Sequence, residues 1–173
     1  SLAGQKAFAA VMDFAPQEIG NHIMGSTVTA GEDRMTNAGR TGTPQLVSIG
    51  CYDLIDIVGW QPVPEKLAGQ EIHAHNRLLS SVMMTPDQRR EMARALCDKL
   101  ATATFLLPLQ GGNEWDRPGG VLSDPEGLAA FIDELRSKVP ANVTLVELDC
   151  HINDPAFVAA ALDVFDGWCT EGL

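Results

Sequence analysis

At 173 residues and 18.6 kDa the chain is long enough for one domain with a proper core, of a size that buries roughly 68–70% of the surface its unfolded form exposes. Its 23 acidic and 12 basic side chains leave a net charge of −11, which repels phosphate backbones and acidic membrane faces and argues against direct nucleic-acid or membrane partners. No run approaches the roughly 18 apolar residues of a membrane helix and no signal-peptide pattern opens the chain, so a cytoplasmic protein is expected.

Ser1-Leu2, without an initiator Met, reads as an expression remnant in front of a fragment. The first strand-like run spans residues 8–14, followed by short helix candidates at 16–24 and 32–40, the second ending in Gly39-Arg40-Thr41-Gly42. A second apolar run occupies 46–49. Residues 50–76, broken by Gly59, Pro62, Pro64 and Gly69, read as a long ordered excursion, with a weak alternating edge strand at 71–75. Thr85-Pro86-Asp87-Gln88 then offers an N-cap, a proline at the first helical position and a capping-box glutamine, and Met92, Leu96 and Leu100 repeat on one face.

The runs at 105–107 and 143–148 lack polar alternation, as strands buried on both faces do. Asp124-Pro125 opens a helix whose Leu128, Phe131, Ile132, Leu135 and Val139 share a face, and Asp154-Pro155 opens another, with Val158, Ala161, Leu162, Phe165 and Cys169 expected inward. Strands alternating with helices predict one three-layer α/β/α domain over residues 1–173 with a mainly parallel sheet.

Ligands of such folds bind where strands end. The run Leu106-Leu107-Pro108-Leu109 stops at Gln110-Gly111-Gly112-Asn113, and glycines there let backbone N–H groups approach a phosphate or carboxylate; the alternative is a tight turn. Neither a Walker loop nor a GxGxxG fingerprint is present. His73, His75 and Asn76 follow the weak strand, while His151, Asn153 and Asp154 follow the last one. If both strands lie parallel in one sheet, these groups share an edge able to bind a divalent metal or do acid–base work, against the plainer reading of structural hydrogen bonds and a capping Asp154. Asp53 and Asp56 could face the same crevice. The four cysteines (Cys51, Cys97, Cys150, Cys169) form no CxxC pair, zinc spacing or nucleophile elbow and read as free buried thiols.

Several short motifs in order resemble the two-domain, Tm-one-like ATP-binding family related to the tomato mosaic virus resistance protein. They are Ala30-Gly31-Glu32-Asp33-Arg34 with Ala38-Gly39-Arg40, Gly50-Cys51-Tyr52-Asp53-Leu54-Ile55, Val63-Pro64-Glu65-Lys66, His75-Asn76 and Met84-Thr85-Pro86. Leu107-Pro108-Leu109-Gln110-Gly111-Gly112, Asp116-Arg117-Pro118-Gly119, Asp124-Pro125-Glu126 and His151-Ile152-Asn153-Asp154-Pro155 continue the series. The resemblance is to the family's second half. It implies a Rossmann-like, C-terminal subdomain that completes an ATP or small-anion site with an N-terminal subdomain, Mg²⁺ accompanying the ATP. Arg77 stands where a proline is expected and Asn113 where a serine is. The antiviral role of the plant relative is not carried over to this acidic chain.

Three functions follow. The leading one is ligand binding through Gly111, Gly112, Asn113, Asn76 and Asn153. The second is a metal-assisted hydrolase using His75, His151 and Asp53. The third is a homo-oligomerisation module using the irregular segment around Trp60 as an arm.

Overall fold

The computed structural model describes residues 2–172. Its strands are β1 (Val11–Asp13), β2 (Gln45–Val47), β3 (Leu54–Val58), β4 (Ile72–Ala74), β5 (Leu79–Met83), β6 (Ala103–Pro108) and β7 (Val143–Leu148). The helices are α1 (Gln17–Met24), α2 (Thr36–Thr41), α3 (Pro86–Lys99), α4 (Pro125–Lys138) and α5 (Pro155–Glu171).

Four strands form the expected parallel sheet, in the order β1-β2-β6-β7. The order never reverses. Right-handed crossovers between neighbours advancing in one direction bring the connecting helices to the same face. Alternating side chains on the central strands divide the core accordingly. Val47, Phe105 and Leu107 enter a large cluster with Ile19 and Met24 of α1, Met92, Ala93 and Leu96 of α3, and Phe131, Ile132 and Leu135 of α4. Leu46 and Leu106, one residue out of phase, enter a small cluster closed by Cys150 and by Phe157 and Ala161 of α5. The layers are therefore unequal, with α5 alone on the second face.

Helix starts follow the sequence chemistry. The Thr85 side chain accepts from Gln88 N–H while the Gln88 side chain accepts from Thr85 N–H at 2.9 Å, a capping box with Pro86 at the first position. Asp124 caps α4 by accepting from Gly127 N–H at 3.0 Å. Asp154 corrects the expectation at α5. Its carboxylate accepts no N–H of that helix, taking His151 N–H at 2.9 Å and pairing with Arg117 at 3.1 Å.

The excursion at 50–76 is also more regular than expected. It contains β3 and β4, which pair antiparallel with β5 in a second sheet of order β3-β5-β4. β4 is an edge strand, as its alternation predicts, but not of the parallel sheet. The first strand run is mostly irregular, since only Val11–Asp13 pairs with β2.

The inward face of α5 lies one residue away from the expected one. Phe157, Ala161, Val164 and Trp168 pack on the sheet, whereas Val158, Leu162, Phe165 and Cys169 are exposed; only Ala161 was placed correctly. All four cysteines are free thiols, two of them buried, with Cys51 half-buried and Cys169 exposed. No helix among the described residues is long and apolar enough to cross a membrane.

Candidate functional site

Two loops at the carboxyl ends of β2 and β6 build the site. The first, from Ser48 to Asp53, is pressed against its neighbours: Gly50 N–H donates to Phe14 O at 2.6 Å, and a Cβ on Gly50 would overlap that same oxygen. Cys51 takes a left-handed φ of 53°, which a non-glycine residue seldom adopts, and donates its N–H to Gly112 O at 3.0 Å. That bond ties the two loops together.

In the second loop, Gly111 has φ 120°, and a Cβ there would collide with the Asp116 carboxylate. Gly112 N–H donates to Asp116 Oδ2 at 2.8 Å and Asn113 N–H to Asp116 Oδ1 at 3.2 Å. The glycine turn does cradle a carboxylate, and the carboxylate is the loop's own. His151 completes the seat. Asn153 N–H donates to its Nδ1 at 3.1 Å, so the hydrogen-bond pattern assigns the proton to Nε2, which faces Asp116 Oδ1 at 3.0 Å and Asn113 O at 2.9 Å.

Beneath the loops lies a buried ionic cluster. Arg89 of α3 is 1% exposed; its Nε donates to Met84 O at 3.1 Å and its Nη1 to Tyr52 Oη at 3.3 Å. Its Nη2 stands 3.1 Å from Asp124 Oδ2 and 3.6 Å from Asp53 Oδ2, ion-pair distances without hydrogen-bond alignment. A Cβ on Gly127 would fall 2.6 Å from the guanidinium carbon, so only glycine admits Arg89 against the first turn of α4. Asp53 Oδ1 accepts from Asn113 Nδ2 at 2.9 Å. Burial raises the Asp53 carboxyl to about 6, opposed by the neighbouring Arg89 charge. Burial, with Asp53, Asp56 and Asp116 nearby, pushes the Cys51 thiol up to about 11, which keeps it protonated near neutrality and removes it as a nucleophile.

Crevices open on both sides of the second loop. One, of about 370 Å³, is lined by Tyr52, Arg89, Gln110, Asp116 and Asp124. The other, of about 350 Å³, is lined by Cys51, Asp56, His75, Ser81, Asn113 and Trp115. The His75 and Trp115 rings meet edge to face at 5.5 Å.

These positions sort the candidate residues. His75 reaches the loop from the antiparallel sheet, because β4 is not a strand of the parallel one, so the shared carboxyl edge expected for His75 and His151 does not exist. His75 and Asn113 line the same crevice, whereas His151 is buried behind the loop with both ring nitrogens engaged. Asn76 makes the β4–β5 turn, its Oδ1 accepting from Leu78 and Leu79 N–H, and Asn153 Nδ2 donates to Glu114 at 3.1 Å. Asn113 spends both ends of its amide within the protein, its Oδ1 accepting from Trp115 N–H. His75, His151 and Asp53 do not converge, and among the described residues no group of three or more His, Cys, Asp or Glu is arranged to hold a metal ion.

Asp116 and Arg89 carry most of this architecture and were not singled out for a site from sequence. Arg89 had a signal, since it sits three and seven residues before Met92 and Leu96 on the apolar face of α3. Asp116 had little beyond its place four residues after Gly112.

An α/β domain with a parallel sheet, a small antiparallel annex and polar crevices at its strand ends is the class this arrangement defines. The chain belongs to the uncharacterised protein family UPF0261, matching that family's C-terminal domain over residues 1–169. It is 48% identical over 177 residues to a UPF0261 protein of Brucella melitensis biotype 1, covering 100% of this chain and 42% of that protein. A UPF0261 protein of Mesorhizobium japonicum is 30% identical over 174 residues, 94% of this chain and 43% of the relative. The ToMV resistance protein Tm-1(GCR237) of Solanum lycopersicum is 26% identical over 161 residues, 90% of this chain and 21% of the plant protein. The chain thus spans less than half the length of the curated relatives it matches. The Tm-one-like resemblance read from the motifs agrees with these relatives.

Proposed function

We propose that this chain is the ligand-binding C-terminal part of a longer cytoplasmic protein, supplying one wall of a site for ATP with Mg²⁺ or another small anion. The observation that carries the reading is the crevice of about 370 Å³ at the carboxyl ends of the parallel strands, with the Arg89 guanidinium among its lining groups. Clefts of this size in this position are the usual ligand sites of parallel α/β domains. The fit has a definite charge problem. Asp116 and Asp124 line the same crevice, the glycine-turn N–H groups already serve Asp116, and the chain carries −11 overall. A polyanion therefore needs neutralising charge from elsewhere, from Mg²⁺ held chiefly by its own phosphates and from the remainder of the polypeptide.

The test is calorimetric titration with Mg-ATP of the 173-residue chain and of a full-length family protein. Weak or absent binding by the chain and measurable binding by the longer protein is expected. Tight binding by the chain alone would show that the site needs no second wall, and no binding by either would remove ATP.

One observation favours oligomerisation as a second reading. Trp60, Ile72 and Leu78 are exposed on the antiparallel annex, Trp60 by 66%, and β4 leaves an open strand edge beside them. Sedimentation of the chain with Trp60→Ser, compared with the unaltered chain, tests that reading; an unchanged mass for both, equal to the monomer, counts against it.

A further inference from the structure

The second face of the parallel sheet is unfinished. Among the described residues only α5 covers it, and α5 is apolar on two sides: Phe157, Ala161, Val164 and Trp168 meet the sheet, while Val158, Leu162 and Phe165 are exposed by 52%, 53% and 38%. The outward residues recur at i, i+4 and i+7, with Cys169 continuing the row at i+11, so they form one stripe about 16 Å long. Met12 lies in register with Leu46, hence on this same face of the sheet, and is also exposed. Leucine and phenylalanine at helical spacing on an otherwise acidic surface mark a contact awaiting a partner.

Charge indicates which partner. Helix α5 carries Asp163, Asp166 and Glu171 and no lysine or arginine, so the stripe has an acidic border. Pairing of this stripe with its equivalent on a second copy would set these carboxylates against one another, which is unfavourable at this face. The curated relatives are more than twice as long as the matched region, which supplies a candidate within the same polypeptide.

We propose that the outer stripe of α5 docks against the non-matching remainder of the longer family protein, on an apolar surface bordered by lysine or arginine. That contact completes the third layer, which the monotonic strand order leaves to one helix. The proposal rests on the reading of this chain as the C-terminal part of a longer protein.

Cys169 reports on the contact directly. Its reaction with a maleimide, followed by the mass of the labelled peptide, is expected to be at least tenfold slower in the intact longer protein than in the 173-residue chain. Leu162→Glu combined with Phe165→Glu is expected to restore fast labelling in the longer protein while leaving the circular dichroism of the 173-residue chain unchanged. Equal labelling rates in the two unaltered proteins overturn the proposal. Protection that appears in the 173-residue chain as its own concentration rises also overturns it, assigning the stripe to a second copy. The readout needs no nucleotide. Loss of Mg-ATP binding with Cys169 still protected would therefore remove the ligand reading and leave the docking surface standing.

Discussion

The two faces of the parallel sheet are made from the same four strands and differ in nearly everything else. On one face, Val47, Phe105 and Leu107 are fully buried under α1, α3 and α4, and Phe131 meets Tyr52 with ring centroids 4.2 Å apart and planes inclined at 49°. On the other, Leu46 and Leu106 share a cluster of five buried residues beneath a single helix. The first face also carries the buried Arg89, Asp53 and Tyr52 group that supports the strand-end loops. Stability and the site are thus coupled on one side, while the opposite side carries one helix whose outer apolar stripe is exposed. The difference follows from topology, since strands added in one direction with right-handed crossovers cover only one face.

The comparison is broken most forcefully by cutting into each face. Phe131→Ala should lower stability by about 3–5 kcal/mol in chemical denaturation, because a large ring is removed from a dense core that cannot collapse around the gap. Leu106→Ala should cost about 2 kcal/mol, the low end for such a truncation, because α5 alone closes the site and can settle. A larger loss at Leu106 would mean the thin face is the stronger one.

An intermediate effect is expected from Asp53→Asn. The folded carboxyl titrates at about 6, above the unfolded value near 3.8. Its favourable contribution is therefore complete below pH 3.8 and lost as the pH rises through 6, where the group must ionise while buried. Stability measured at pH 4 and pH 8 should shift in favour of the variant by about 2 kcal/mol across that window, at about 1.4 kcal/mol per unit. A difference between variant and parent that does not change with pH would contradict the buried, desolvated state of Asp53.

The smallest effect belongs to the outer stripe. Leu162→Ser in the 173-residue chain should change stability by less than about 0.5 kcal/mol, since the side chain is exposed there. A loss above 1 kcal/mol in the same denaturation experiment would show that Leu162 is packed within the chain.

Much of this was legible in the residues. Thr85-Pro86-Asp87-Gln88 encodes its capping box locally, and the apolar run at 105–107 marks a buried central strand, whereas the run at 143–148, expected to be buried on both faces, forms edge strand β7, in which only Val143 is buried and Thr144 and Glu147 are exposed. Other features depend on tertiary partners. The strand Leu79–Met83 contains two serines and does not alternate, so it exists only through pairing with β3 and β4. Helix α5 is so rich in Val, Ala, Leu and Phe that two stripes one residue apart fit the helical period, and only the shape of the sheet chooses between them. At the site, the glycine pair makes the tight turn that was the plainer of its two readings, Gly111 having a positive φ, and the N–H groups of Gly112 and Asn113 meet a carboxylate of the chain itself. That the anion is Asp116, four residues on, depends on how the loop closes.

Native-state hydrogen exchange of the 173-residue chain tests the inequality of the two faces most directly, because it reads the opening free energy of α4 and α5 in one molecule. The amides in the middle of α4 should exchange only through global unfolding, while those of α5 open locally and exchange at least tenfold faster. Equal protection of the two helices, with both tracking global unfolding, would contradict the account of a complete face and an unfinished one.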